Sequence, residues 1–241
     1  MLKVRGIEIT RASLAKMIDF SILHPHTTRE QILEGIKICK RDNYNSFCVN
    51  PNFLSLVAEG LEGTDVEPSV VLDFPFGAGT EAIKKAAAED MVKRGAKALD
   101  MVIDLGALKD KNYKLVTQEI RQLVETAGPD IKTKIIIEAG LLTNEEIVAA
   151  CKCVEDGGGS YAKSSTGREI GPSMAVVKLM RDSVSSNIGI KVAGTGRFWT
   201  PQVAFGAILA GADLIGTRSG PAILDELPLL EEIYGKIKVV K

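Results

Sequence analysis

One pattern constrains this chain more than any other: a short apolar run followed by a helical segment, repeated eight times. The runs are Met17–Leu23, Asn45–Asn50, Ser69–Phe74, Ala98–Ile103, Lys134–Glu138, Ser160–Lys163, Ile188–Ala193 and Asp213–Thr217. They are rich in β-branched and other apolar residues and bounded by turn formers. Most show little polar alternation, as expected of parallel strands buried on both faces. Between them lie stretches with apolar residues at helical spacing. Thr28–Asp42 opens on a threonine cap and carries Ile32, Ile36 and either Ile38 or Cys39 on one stripe. Thr80–Gly95 carries Ile83, Ala87 and Met91. Tyr113–Ala127, Thr143–Gly157, Pro172–Val184 and Thr200–Gly211 follow the same rule. Each strand-plus-helix unit is the size a right-handed crossover needs.

Eight such units predict a closed α/β fold, the (β/α)8 or TIM barrel, with a short N-terminal helix over Thr10–Lys16. An open doubly wound sheet is the alternative. No GxGxxG follows the first strand, and eight even units favour closure. With 241 residues and no linker-like segment, the expectation is a single domain over residues 1–241.

Composition narrows the partners. The net charge is −1, so neither nucleic acid nor an anionic membrane is expected as a partner. No apolar run approaches the roughly 20 residues of a membrane span. Cys39, Cys48, Cys151 and Cys153 form no CxxC pair and no disulfide framework. Free thiols in a reducing, cytoplasmic compartment are the expected state.

In a barrel of this kind, chemistry sits at the C-terminal ends of the strands. The informative residues are therefore charges on otherwise apolar strands: Asp19, Asp100, Glu138, Lys163 and Lys191. A buried charge must be paired or neutralised. Two lysines on adjacent strands should each disfavour protonation of the other, and a lysine deprotonated near neutral pH attacks carbonyl carbon. Asp100 and Asp19 could balance the charge and move protons. A purely structural ion-pair cluster is the competing interpretation.

A second constellation lies in the loops after strands 6, 7 and 8. These hold Ser164, Ser165, Thr166, Gly167 and Arg168; then Gly194, Thr195 and Gly196; then Gly216, Thr217, Arg218 and Ser219. Glycines let backbone N–H groups approach an anion, and arginine pairs with phosphate as a fork. Together they point to a phosphorylated small-molecule substrate. His24 and His26 form a His-x-His in the loop after strand 1. They have no obvious third or fourth ligand partner, so the expectation is no metal, and a solvated or substrate-facing loop.

These residues resemble a known family. "SYAKSSTG" is similar to the Schiff-base lysine motif of the deoxyribose-phosphate aldolases, and "IKVAGTG" to their second lysine. "ALDMVI" resembles the strand with their aspartate, and "MIDFSIL", "FCVNP" and "LDFPFG" match in order along the chain. The resemblance implies a class I aldolase without cofactor. It would cleave 2-deoxyribose 5-phosphate to acetaldehyde and glyceraldehyde 3-phosphate, or join them. It implies Lys163 as the imine lysine, Lys191 as the group lowering its pKa, Asp100 as the proton carrier and Asp19 as support. It implies Ser21, Cys48, Thr166, Gly167, Arg168, Gly194, Thr195, Gly216, Arg218 and Ser219 as substrate and phosphate contacts. Barrels of this kind often assemble, so a homo-oligomer (dimer or tetramer) is expected.

Four departures from the family pattern stand out: Phe20 after Asp19, Ala98 where a glutamate is usual, Thr195–Trp199 after the second lysine, and Arg218 where a small serine is common. They leave the Schiff-base residues intact and keep open a related aldolase with a different sugar phosphate or donor carbonyl. A separate alternative is a non-catalytic barrel that binds a sugar phosphate, with the lysines as anion ligands.

Overall fold

The computed structural model describes residues 2–4, 7–194 and 200–234. Eight parallel strands close into a barrel. They are β1 (Ile18–Ile22), β2 (Ser46–Val49), β3 (Glu67–Leu72), β4 (Ala98–Val102), β5 (Lys132–Ile136), β6 (Tyr161–Lys163), β7 (Gly189–Ala193) and β8 (Leu214–Thr217). Closure is made by β8 pairing in parallel with β1, Gly216 opposite Asp19. This is the expected (β/α)8 barrel. A small antiparallel hairpin (Leu2–Val4 with Ile7–Ile9) and helix α1 (Arg11–Ala15) precede it. The hairpin lies ahead of the first expected element and has too few residues to carry a periodic signal.

Helix starts follow the side chains that cap them. Thr28 accepts from Gln31 N, and Gln31 returns the bond to the Thr28 amide, opening α2 (Arg29–Asp42). Thr143 does the same with Glu146. Thr80, Asn112, Ser173 and Thr200 cap their helices from one side. Each such cap contributes about 1 kcal/mol. Among the described residues no helix is long and apolar enough to cross a membrane.

The apolar core is an annulus between strands and helices. Ile18, Phe20, Ile22, Phe47, Val49, Leu99, Met101, Ile135, Ile190 and Val192 point into it. Phe20 stacks on Tyr44, with centroids 5.5 Å apart, and tilts against Phe47 at 5.6 Å. The departure at Phe20 therefore belongs to the outer core, because alternate strand residues face opposite sides. The inward residues of the same strands are polar at the centre: Asp19, Ser46, Ser69, Asp100, Lys134, Lys163 and Lys191 are all buried.

Two strands begin earlier than the apolar runs suggest. β3 starts at Glu67 and β5 at Lys132, each two residues upstream. β5 consequently ends at Ile136, and Glu138 sits beyond it in a left-handed turn, φ 47°. A second buried ion cluster braces the loops after β3 and β4. Lys84 Nζ lies 2.7 Å from Glu119 Oε2 and 3.4 Å from Asp73 Oδ2, and donates to the Val102 carbonyl at 3.3 Å. Glu119 Oε1 accepts the Asp104 amide at 2.7 Å. Burial pushes the Glu119 carboxyl up despite Lys84 beside it.

Candidate active site

At the heart of the barrel, five charged side chains from five strands meet. Asp100 Oδ2 (β4) accepts from Lys163 Nζ (β6) and Lys191 Nζ (β7), each at 2.7 Å. Asp19 Oδ2 (β1) lies 2.6 Å from both Lys191 Nζ and Lys134 Nζ (β5). Its other oxygen accepts from Asn45 Nδ2 at 2.6 Å. Asp100 Oδ1 accepts from Ser69 Oγ at 3.2 Å and stands 4.0 Å from Lys134 Nζ. Lys191 thus bridges the two carboxylates, while Lys163 touches only one.

Adjacent-strand register explains the meeting. Lys163 pairs with Lys191 across β6 and β7, and Asp100 with Lys134 across β4 and β5. Space for the Lys191 side chain comes from Gly216, where an added Cβ would stand 3.2 Å from Lys191 Cε. Ser164 Oγ accepts from the Ala193 amide at 3.0 Å and donates to the Ala193 carbonyl at 3.1 Å. That pair of bonds locks the ends of β6 and β7, and hence the two lysines, together.

Lys134 is the partner that sequence reasoning missed. A lysine at the start of an apolar run reads as a solvated strand end. Two residues of additional strand make it central and wholly buried. The signal was its period-2 relation to Ile136, which puts both on the inward face.

The electrostatics correct one expectation. The two neighbouring lysines were expected to depress each other. Burial does pull Lys191 down, but Asp100 and Asp19 against it pull harder, and its pKa is raised. The carboxylates respond in kind. Burial alone would push Asp19 up, yet Lys134 and Lys191 hold it well below the usual carboxylate range. Asp100 is likewise held low by Lys163, Lys191 and Lys134 against its burial. Cys48 faces the same cluster from β2. Its thiol is pushed up by burial and then by Asp100, so it offers a neutral, small surface rather than a thiolate.

Above the cluster opens a cavity of about 260 Å³. Its lining includes Ser21, Thr166, Gly167, Arg168, Gly194, Gly216, Arg218 and Ser219, the substrate-contact residues implied by the resemblance apart from Cys48 and Thr195. Thr195 lies outside the described residues, as do Gly196, Arg197, Phe198 and Trp199. Leu23, His24 and Thr217 complete the lining. Gly167 takes φ 79°, and its Cβ position would lie 3.0 Å from the Gly194 carbonyl, so a side chain there would wedge β6 and β7 loops apart.

The expected cradle of backbone amides is largely used up inside the loops. Gly167 N donates to Ser165 Oγ, Arg168 N to Thr166 Oγ1, and Ser219 N to Thr217 Oγ1, at 2.9, 3.1 and 2.9 Å. Thr166 N donates to both carboxylate oxygens of Glu138, at 3.3 and 3.0 Å. Hydroxyls two residues back capture amides in such turns. The cations remain. Arg168 is anchored by one bond to the Leu23 carbonyl at 2.8 Å and lies over Phe74, 5.8 Å from its centroid. Among the described residues no carboxylate pairs with Arg168 or Arg218.

Ala98 occupies the inward position one pleat below Asp100, buried and without a polar group. It pairs across the sheet with Ser69 and Lys132.

Comparison with known proteins agrees with this geometry. No protein-family model matches the chain. A deoxyribose-phosphate aldolase of Streptococcus suis is 42% identical over 213 residues, 88% of this chain and 96% of that one. One from Listeria welshimeri is 42% identical over 224 residues, 92% of this chain and 100% of its own. The solved structure of QR15, an aldolase, superposes with a TM-score of 0.84 at 30% identity, covering 91% of this chain and 98% of that one. The chain belongs to the deoxyribose-phosphate aldolase family.

Proposed function

We propose that this protein is a Schiff-base aldolase that interconverts 2-deoxy-D-ribose 5-phosphate with acetaldehyde and D-glyceraldehyde 3-phosphate. The observation that carries the reading is the imbalance of the buried cluster: three lysines share two carboxylates. Lys191 is held protonated between Asp19 and Asp100, and Lys134 is paired with Asp19. Lys163 has a single carboxylate contact, which it shares with Lys191, so it is the lysine the cluster pairs least. It also closes β6, directly before the loop residues that line the cavity.

The Lys163 amine adds to the aldehyde carbon of the open-chain sugar. The carbinolamine loses water to give an iminium. A base takes the proton of the sugar's C3 hydroxyl, and the C2–C3 bond breaks toward the iminium. The phosphorylated aldehyde departs and an enamine remains on Lys163. Protonation of its terminal carbon, then hydrolysis, frees acetaldehyde and the lysine. Asp100, within 2.7 Å of both Lys163 and Lys191, is the group suited to relay these protons, with Lys191 as the cationic partner that stabilises the electron-rich states. Asp19 keeps Lys191 in place. The phosphate rests at the Arg168–Arg218 end.

Borohydride reduction during incubation with acetaldehyde tests this. The expected result is covalent mass on the Lys163 peptide and none in Lys163→Ala. No added mass in the wild-type protein would return the fold to a non-catalytic, phosphate-binding barrel. Repeating the trap over a panel of donor carbonyls, with turnover measured on several phosphorylated aldehydes, identifies the substrate pair.

A further inference from the structure

His24 has no part in the lysine chemistry, yet it lines the cavity together with Arg168 and Arg218. It follows Leu23, whose carbonyl holds the Arg168 guanidinium, so the histidine and that arginine are tied to one piece of backbone. Its ring stacks on His26, centroids 5.3 Å apart. The loop is held by Thr27 Oγ1 donating to the His24 carbonyl at 2.7 Å. The charged and titratable groups acting on the imidazole are Arg218, Arg168 and His26. Two of them are guanidinium cations and the third is an imidazole. A metal cation is a poor guest beside two arginines, and no group of three or more metal-ligating side chains occurs among the described residues. An anion suits all of these neighbours.

We propose that His24 is a third cationic ligand for the substrate phosphate, binding it beside Arg168 and Arg218 and taking up a proton as a phosphate dianion docks. This rests on the phosphorylated-substrate reading above. In the empty site, partial burial and then the two arginines lower the imidazole pKa. A dianion reverses the balance, because its charge outweighs the arginines it neutralises, and the imidazole takes one proton from solvent as the phosphate arrives. Selectivity then depends on pH. A group with two negative charges recruits the third cation, and a neutral or singly charged end does not.

The chain contains two histidines, so a His26→Asn variant leaves one imidazole to follow by NMR. Titration with and without saturating inorganic phosphate, at constant ionic strength, should move the His24 midpoint upward in phosphate. A midpoint that does not move overturns the proposal. Kinetics supply the second arm. Comparing wild type with His24→Ala at each pH cancels the phosphate's own ionisation. The ratio of their kcat/KM values on the phosphorylated sugar should be about tenfold or more at about pH 6, where a charge-assisted bond is in place, and should shrink toward about pH 8. His24→Lys should restore most of the affinity and flatten the profile. Equal losses on phosphorylated and unphosphorylated 2-deoxyribose would also overturn the assignment. If Lys163 cannot be trapped but phosphate still shifts His24, the aldolase reading fails and the anion ligand stands. If trapping succeeds and the shift is missing, the reverse holds.

Discussion

The barrel centre and the rim above it are both positively charged, but they are built in opposite ways. At the centre every cation has a carboxylate within 2.7 Å, and all five charged groups are buried. At the rim Arg168 and Arg218 are exposed, with a backbone carbonyl and a ring as the contacts of Arg168. Burying charges is expensive unless each is paired, so the centre must be saturated before any substrate arrives. The rim meets water, which screens its cations and lets them wait for a guest. Reactivity needs the first condition because a fixed field adds no reorganisation during the reaction. Recognition needs the second, because a cation already paired has little left to give a phosphate.

The sharpest way to break this contrast is Lys163→Ala. Loss of the proposed nucleophile should lower turnover on the order of 10⁵-fold, seen in single-turnover assays, with the far-UV circular dichroism intact. Asp100 keeps Lys191 in that variant, so an unfolded product would show that the centre is structural first.

Asp100→Asn should come next. It replaces the carboxylate shared by Lys163 and Lys191 with a neutral amide, lowering kcat by about 10²–10⁴-fold and stability by roughly 3–5 kcal/mol in urea. The pH profile sharpens the test. Asp19 and Asp100 have depressed folded-state pKa values, so their stabilisation is complete above the unfolded carboxylate value of about 3.9 and is lost as pH falls below it. Lys191 has a raised one, so its share is complete below the unfolded lysine value of about 10.4 and fades as pH climbs above it. Acid unfolding of the Asn variant should be shallower than that of the wild type. An identical slope would exclude Asp100 as a linked group.

Lys134→Met should do less. Asp19 retains Lys191 and Asn45, and the remaining cluster has equal numbers of both signs. A stability loss smaller than that of Asp100→Asn, with a rate loss of about tenfold or more, would separate the two in one urea series. A loss as large as that of the Asn variant would make Lys134 an equal member of the pair network.

Arg218→Ser should have the smallest effect and a different form. KM for the phosphorylated sugar should rise about tenfold, the worth of one charge-assisted contact, with the larger change in KM rather than kcat. A fall confined to kcat would join the rim to the chemistry and erase the contrast.

How legible all this was depended on whether periodicity or tertiary pairing carried the information. The eight strands and the main helices followed from apolar spacing and caps such as Thr28 and Thr143, which are local. Asp19, Asp100, Lys163 and Lys191 were visible because a charge inside an apolar run is anomalous. Lys134 was not, since it stood at the edge of its run and only pairing with β4 extends the strand past it. Lys84 and Glu119 lie on helices, where no local rule distinguishes them from solvated charges; packing between α4 (Glu81–Lys93) and α6 (Tyr113–Ala127) buries them. The Thr166 and Arg168 amides looked free for an anion because no local rule shows that Glu138 and the loop hydroxyls take them first.

The seam where β8 meets β1 has a bearing on how the protein is made. The cavity draws on Ser21 and His24 from one side of that seam and on Gly216, Arg218 and Ser219 from the other. A ribosome delivers the first pair long before the last three. A nascent chain with seven strands already carries all five central charges, yet the lining of the cavity is incomplete until β8 docks. On the proposed reading, ligand present during synthesis rewards only the closed ring, and a chain stalled short of β8 cannot consume sugar phosphate while it waits.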